Sequence, residues 1–427
     1  MDEQLFYGDG RSLRLAWRHP IDVLWCAAPR IAPLGDVRAA ARRAVEAPVD
    51  YPPLSALLTP DDRVAIAVEP GVPEAAGIVQ GVVEALLASG AQRGQIAVLR
   101  ASADALDCGV REVQHRPDDA DSLAYLAATD DAYPIYLNRV LYDADVVVPI
   151  GLRRPNHSYG YLGAPGGIYP LFADAAAQFR LLATSPADWR RHGRTRRWEA
   201  DRVAWQLGVQ FRIEAVPTAH GRLAQVIGGH TDSVTRHARR SMLDAWAQRL
   251  SQPVGFAVAA VEQPSSGQPS SGQPSSGQAS SGQASSGQAW ADIQRAFFAA
   301  SRMVVDEGVI VVCSNVDAPP TAMRRPANAV EAGAVEAGAV PKARRSTGAS
   351  RGEEIDPVRE MLAELGESRR LYLLSDLPRD VVEDLGCVPV ETADEIVLLA
   401  RPFDTGLVIA NAEYAHLSLA HEEESQS

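Results

Sequence analysis

Residues 63–100 read Arg63-Val-Ala-Ile-Ala-Val68, then Glu69-Pro-Gly-Val-Pro73, then a stretch from Glu74 to Ser89, then Gly90, then Gln95-Ile-Ala-Val-Leu99. The first run is short, apolar and rich in β-branched residues, which predicts a strand. Glu69–Pro73 predicts a turn, and Pro73 suits the first turn of a helix. Between Glu74 and Ser89 the residues Ile78, Val79, Val82, Val83, Leu86 and Leu87 recur at helical spacing. Gly90 ends that helix and 95–99 predicts the next strand. Strand, helix and strand in this order form a βαβ unit, the building block of a parallel sheet.

The alternation continues outward. Asp145-Val-Val-Val-Pro-Ile150 predicts a buried strand that empties into a loop rich in glycine and aromatics. Val254–Val261, Gly308–Cys313, Leu371–Leu374 and Glu395–Leu399 continue the pattern, with an amphipathic helix over Ile293–Val305. The fold expected is α/β, with two α/β domains, mostly parallel sheets and an inter-domain cleft. The boundaries expected are 1–250 and 251–420. Two low-complexity segments interrupt the second domain. Residues 264–288 are five copies of (Pro/Ala)-Ser-Ser-Gly-Gln, and 317–354 is rich in Ala, Pro, Gly and Arg. Neither offers enough apolar surface to offset chain entropy, so both are expected as flexible, solvated surface insertions.

The chain has 427 residues, 46% hydrophobic and 22% charged, with a net charge of −13. That suits a folded protein of two or three domains. No run is long and apolar enough to span a membrane. The start, Met1-Asp-Glu-Gln-Leu5, lacks a basic stretch followed by an apolar one, so no secretory signal is expected and the expected location is cytoplasmic. The negative charge argues against a general nucleic-acid partner. Cys26, Cys108, Cys313 and Cys387 form no CxxC pair and are expected as buried, idle thiols. The chain holds a single lysine, Lys342, so any chemistry that needs an amine side chain has one candidate.

The loop 151–171 follows a strand, where open α/β sheets bind ligands. Gly160, Gly163, Gly166 and Gly167 would let backbone approach a ligand closely. Arg153 and Arg154 could hold a carboxylate or phosphate. His157 could exchange a proton near neutral pH. The turn at Glu69 brings an acid and no cation, so anion binding by that turn alone is not favoured. His220, His230 and His237 lack the spacing of a helical ligand pair, and no metal ligand set is assigned. Trp189-Arg-Arg-His-Gly-Arg-Thr-Arg-Arg-Trp198 is a dense basic patch, read as a solvated surface. The chain has no G-x-S-x-G elbow, Walker A loop or H-E-x-x-H pair.

The order of these pieces resembles the nickel-pincer lactate racemase family, over more than 300 residues. The βαβ unit comes first. His115-Arg-Pro-Asp-Asp119, Tyr136-Leu-Asn-Arg139, Ala144-Asp-Val-Val-Val-Pro-Ile-Gly151 and Pro155-Asn-His157 follow. Gln225-Val-Ile-Gly-Gly-His230 resembles the opening of that family's inter-domain helix, and Asp306–Cys313 a strand after the substrate-side helix. The resemblance implies interconversion of the two hands of lactate or a related 2-hydroxy acid. It implies a nickel-pincer nucleotide that takes and returns a hydride, tethered through a lysine and ligated by a histidine, with two further histidines as proton-exchanging bases.

Carried over residue by residue, the resemblance places the second base on His157, keeps the acid of the turn at Glu69 and puts a second-domain cation on Arg295; together with Arg153, Arg154, Gly166 and Gly167 of the loop, Glu69 and Arg295 are the expected substrate or cofactor contacts. The first base falls near Ala103–Ala105, where no histidine stands. The tether falls on Gly167, the nickel histidine near Ala183, and the clamping arginine of the turn on Val72. Arg295 keeps the charge of a second-domain lysine with another geometry. Losing one general base costs about 10²–10⁴ in rate. The expectation is therefore a divergent lactate racemase-like protein that keeps the cleft, takes a small 2-hydroxy acid and lacks the full chemistry. An active 2-hydroxy-acid isomerase with a non-covalently bound nickel-pincer nucleotide is the alternative. A nucleotide-binding enzyme of another kind is a third reading, weakened by the absence of a G-x-G-x-x-G turn.

Overall fold

The computed structural model describes residues 4–17, 19–102, 104–154, 167–182, 186–219, 221–262, 282–324 and 354–420. Two six-stranded sheets organise them. The first runs in the order Leu223–His230, Phe211–Pro217, Val146–Leu152, Val64–Val68, Ile96–Arg100, Arg111–Gln114. All its neighbours are parallel except the hairpin of Phe211–Pro217 with Leu223–His230. The second runs Val388–Val390, Arg370–Leu374, Val304–Cys313, Val254–Ala260, Thr405–Ile409, Asp22–Cys26, and is wholly parallel. The α/β fold with mostly parallel sheets is as the sequence predicts.

Every residue of Val64–Val68 is buried, as a strand covered on both faces must be. Its helix runs Ala75–Ala88 and buries Ile78, Val79, Val82, Val83 and Leu86. Burial of such side chains contributes roughly 1.5–3 kcal/mol each, and the periodicity marks the buried stripe. Gly81 on this helix faces the helix Val37–Glu46, where an added Cβ would lie 2.2 Å from the Arg38 carbonyl oxygen. The two helices approach through that glycine.

Several expectations are corrected. Glu395–Leu399 is not a strand but part of the helix Ala393–Leu399. Thr392 caps it by accepting from the Glu395 N–H, and Asp394 and Glu395 sit in its first turn, where acids favour a helix. The strand at this point of the chain is Thr405–Ile409. Gln225–His230 ends a strand rather than opening a helix, and the helix begins at Thr231. Asp22–Cys26 lies in the first 250 residues yet forms the edge of the second sheet.

The helix expected over 293–305 spans Gly282–Ser301, and Val304 already belongs to the next strand. The insertion 264–288 therefore gives its last seven residues to a helix instead of to a solvated linker. Trp290, Ile293, Ala296, Phe297 and Ala300 bury one face of that helix, and this burial carries helical backbone back into the repeat. Residues 263–281 lie outside the described residues. At the second insertion, Met323–Arg324 pairs antiparallel with Glu354–Ile355, which draws the two ends of 325–353 together.

Candidate functional site

In each sheet the chain reverses direction of growth at one point. In the first sheet, Val64–Val68 is followed by strands added on one side, then by Val146–Leu152 on the other. The crevice beyond the carboxyl ends at such a switch is where open α/β sheets hold ligands. Glu69 leaves the end of one of these two strands, and Arg153 and Arg154 leave the other. In the second sheet the switch lies between Val254–Ala260 and Thr405–Ile409. Glu262, Asn411 and Glu413 follow those strand ends, and Asn411 Nδ2 donates to Glu262 Oε2 at 2.8 Å.

The switch point of the first sheet opens on a cavity of about 410 Å³, closed on its other side by the long helix of the second half of the chain. Glu69, Ser102 and Arg154 line it from the first sheet, and Gln288 and Arg295 from the long helix Gly282–Ser301. Arg154 and Arg295 are each 8% exposed. Arg154 Nη2 donates to the carbonyl oxygens of Pro70 at 3.1 Å and Gly71 at 2.7 Å. Arg295 Nη1 donates to Asp292 Oδ1 at 2.5 Å. The Nε atoms of both arginines are buried without a hydrogen-bond partner among the described residues. Burial, and after it the neighbouring Arg154 guanidinium, pulls the Arg295 pKa below its ordinary value. Two like charges thus lie close in a desolvated place, with Asp292 and Glu69 as the carboxylates that offset them.

The turn at 69–72 departs from the pattern the resemblance implies. Val72 is 7% exposed and packs into the core of the first sheet. Arg154 lays its guanidinium on the same turn from the neighbouring strand, so a cation lost in sequence is present in space. Glu69 Oε2 accepts from the Leu152 N–H at 3.2 Å. Arg153 is turned away from the cavity, with Nη1 3.8 Å from Glu214 Oε2. Arg212 Nη2 lies 2.9 Å from Glu214 Oε1.

The structure brings Glu69, Arg154 and Arg295 together. His157 and Gly166 lie outside the described residues, as do Ala103, Ala183 and Lys342. Sequence reasoning missed Gln288 and Asp292. The i, i+3 pair of Asp292 with Arg295 was a usable signal. Gln288 was hidden inside a low-complexity tract. His115 and Asn138, from two stretches of the resemblance, meet in space. Asn138 Nδ2 donates to His115 Nδ1 at 3.2 Å and His115 Nε2 donates to the Ala173 carbonyl at 2.8 Å. Burial lowers the His115 pKa, so the ring is a neutral tie.

A covalently tethered nickel-pincer nucleotide does not fit the described residues at the matched positions. Gly167 carries no amine, and among the described residues a Cβ built there would meet nothing within 4 Å. Among the described residues, no three His, Cys, Asp or Glu side chains gather as a metal-binding group. All four cysteines are buried and unpaired with one another. Among the described residues no helix is long and apolar enough to cross a membrane.

The structure is similar to that of the lactate racemase apoprotein from Thermoanaerobacterium thermosaccharolyticum, with a TM-score of 0.66 and 13% identity over 97% of this chain and 99% of that one. It is also similar to a protein from Thermotoga maritima, with a TM-score of 0.51 and 12% identity over 91% and 99% of the two chains. The fold is therefore lactate racemase-like. No family model matches the chain, and no curated protein matches it in sequence.

Proposed function

We propose that this protein is a divergent lactate racemase-like protein that binds a small carboxylate, of the 2-hydroxy-acid class, in the cavity between its two sheets. The observation that carries the reading is the buried pair of Arg154, at a strand end of the first sheet, and Arg295, on the helix Gly282–Ser301, which line one cavity with Nε atoms that have no partner among the described residues. A carboxylate between them would accept charge-assisted hydrogen bonds from both. The cavity has the size of small-molecule sites. Ser102 and Gln288 on its wall offer hydrogen-bonding groups to a hydroxyl.

In this reading the chain binds and orients the acid without carrying out full racemisation. Exchange of a proton on both faces needs two bases, and His157 is the one histidine the resemblance supplies. We also place the domain division near residue 250, with the strand Asp22–Cys26 crossing to the second sheet. The unpaired thiols support a reducing compartment, the cytoplasm.

Glu69 on the cavity wall favours a second reading, an active 2-hydroxy-acid isomerase in which Glu69 supplies the missing base. One experiment tests both. Purified protein is titrated calorimetrically with L-lactate and D-lactate, then incubated with each and assayed for the other enantiomer. Binding without interconversion supports the first reading. Interconversion that disappears in His157→Ala establishes the second. Absence of binding to either acid overturns both.

A further inference from the structure

The site contains one residue from an unexpected source. Gln288 is the last residue of the fifth (Pro/Ala)-Ser-Ser-Gly-Gln repeat, and with Gly287 it lines the cavity. Its Nε2 donates to both carboxylate oxygens of Asp292, at 3.1 and 3.0 Å. Asp292 in turn accepts from Arg295. Positions 288, 292 and 295 are spaced i, i+4 and i+7, so the three side chains stack along one helix face.

Asp292 is 5% exposed, and its charge adds to the burial that pushes the Glu413 pKa well above its ordinary value. Arg295 donates to Oδ1 and Gln288 to both oxygens, so Gln288 satisfies the second oxygen of a buried carboxylate. Gly71 makes the arrangement fit: its φ is +72°, and a Cβ there would lie 2.5 Å from the Gln288 Cδ.

We propose that Gln288 is a positioning residue that holds Arg295 toward the cavity through Asp292, and that the period of the tract keeps a Gly-Gln pair at this place for any whole number of repeats. The first clause rests on the reading of the cavity as an anion site. The second is a property of the sequence. Each repeat ends in Gly-Gln, at 267–268, 272–273, 277–278, 282–283 and 287–288, and Ala289-Trp290 follows the last. Removing any whole repeat leaves Ser-Ser-Gly-Gln-Ala-Trp at the junction. The tract can lengthen or shorten in steps of five while the turn that enters the cavity keeps its sequence. A shift of two residues would put serine where Gln288 stands.

The test uses the full chain and five variants: Gln288→Ala, Gln288→Glu, Gln288→Lys, an in-phase deletion of 264–278, and an out-of-phase deletion of Gly287 and Gln288. Two quantities are measured: affinity for L-lactate and for inorganic phosphate by calorimetry, and hydrogen exchange of the 292–295 amides without added anion. We expect Gln288→Ala, Gln288→Glu and the two-residue deletion to weaken anion binding by about five- to tenfold or more, and to speed exchange at 292–295. Gln288→Lys keeps a donor to Asp292 and restores both readouts, which a merely structural role would not predict. The 264–278 deletion leaves both at the wild-type values.

If wild-type protein binds neither anion but Gln288→Ala speeds the exchange, the anion reading fails and the positioning role stands. If wild-type binds and Gln288→Ala changes neither quantity, the positioning role is overturned alone. Loss of binding in the 264–278 deletion equal to that in Gln288→Ala overturns the claim about the repeat period.

Discussion

Gly71 and Gln288 meet where the two sheets face each other: a Cβ on Gly71 would lie 2.5 Å from the Gln288 Cδ and 2.6 Å from Arg154 Nη2. One hydrogen atom in place of a methyl group lets a turn of the first sheet, an arginine from its neighbouring strand and a helix of the second sheet close on one spot.

Gly71→Ala should therefore affect binding more than stability. The left-handed φ of +72° costs an alanine about 1–2 kcal/mol. The atoms it would strike are ends of flexible side chains, which can move, but both belong to the cavity wall. Urea denaturation should show a modest loss, and lactate affinity should fall by more than the same factor. Gly81→Ala should do the reverse, because its Cβ would meet the Arg38 carbonyl at 2.2 Å and backbone does not yield cheaply. A loss of about 1–3 kcal/mol with unchanged anion affinity is expected.

Arg154 and Arg295 should separate in the same pair of measurements. Arg295→Met leaves Asp292 buried without its cation, and breaking such a pair costs roughly 3–5 kcal/mol. Arg154→Met loses bonds to two carbonyl oxygens and relieves the repulsion on Arg295, so its cost should be clearly smaller. Both should weaken lactate binding by about tenfold or more, the worth of a charge-assisted hydrogen bond. Equal stability losses would contradict the like-charge relationship.

Glu413 makes stability depend on pH in a stated direction. Burial, and after it Asp292, raises its pKa well above the ordinary 4.5. The folded state holds a proton that the unfolded state releases, so this contribution is complete below pH 4.5 and is lost as pH rises through the folded value. Glu413→Gln removes the titration and keeps an acceptor for Asn411. It should gain stability over wild type at pH 7–8, by about 1 kcal/mol or more, and lose that gain near pH 4. Parallel urea curves for the two proteins across this range would show that Glu413 titrates normally.

The thiols should be inert until the protein unfolds. Burial pushes Cys26, Cys313 and Cys387 up to about 12, and burial followed by the hydrogen bond to Glu112 pushes Cys108 to about 11. Since the thiolate is the nucleophile, a disulfide reagent at pH 8 should label none of the four in native protein and all four in urea.

The alternation of buried strands and amphipathic helices was legible because a strand covered on both faces reads as an apolar run, as Val64–Val68 does. The run at Ile396–Leu399 was misread for the same reason: four apolar residues in a row suit a buried strand and a buried helix equally, and the Thr392 cap decided it. Glu69, Arg154 and Arg295 were legible as charges near strand ends or on a helix. Gln288 was not, since its role depends on Gly71, 217 residues away in the chain.

By itself the sequence determined the α/β class, the position of the turn at Glu69, and the absence of an amine at residue 167, because periodicity and side-chain chemistry are local properties. The tertiary structure alone decided that Arg154 covers the turn where Val72 offers no charge, that Asp22–Cys26 completes the distant sheet, and that the end of a repeat tract enters the cavity. Those are contacts between residues far apart in the chain, set by which strands pair and which faces bury, and no local pattern encodes them.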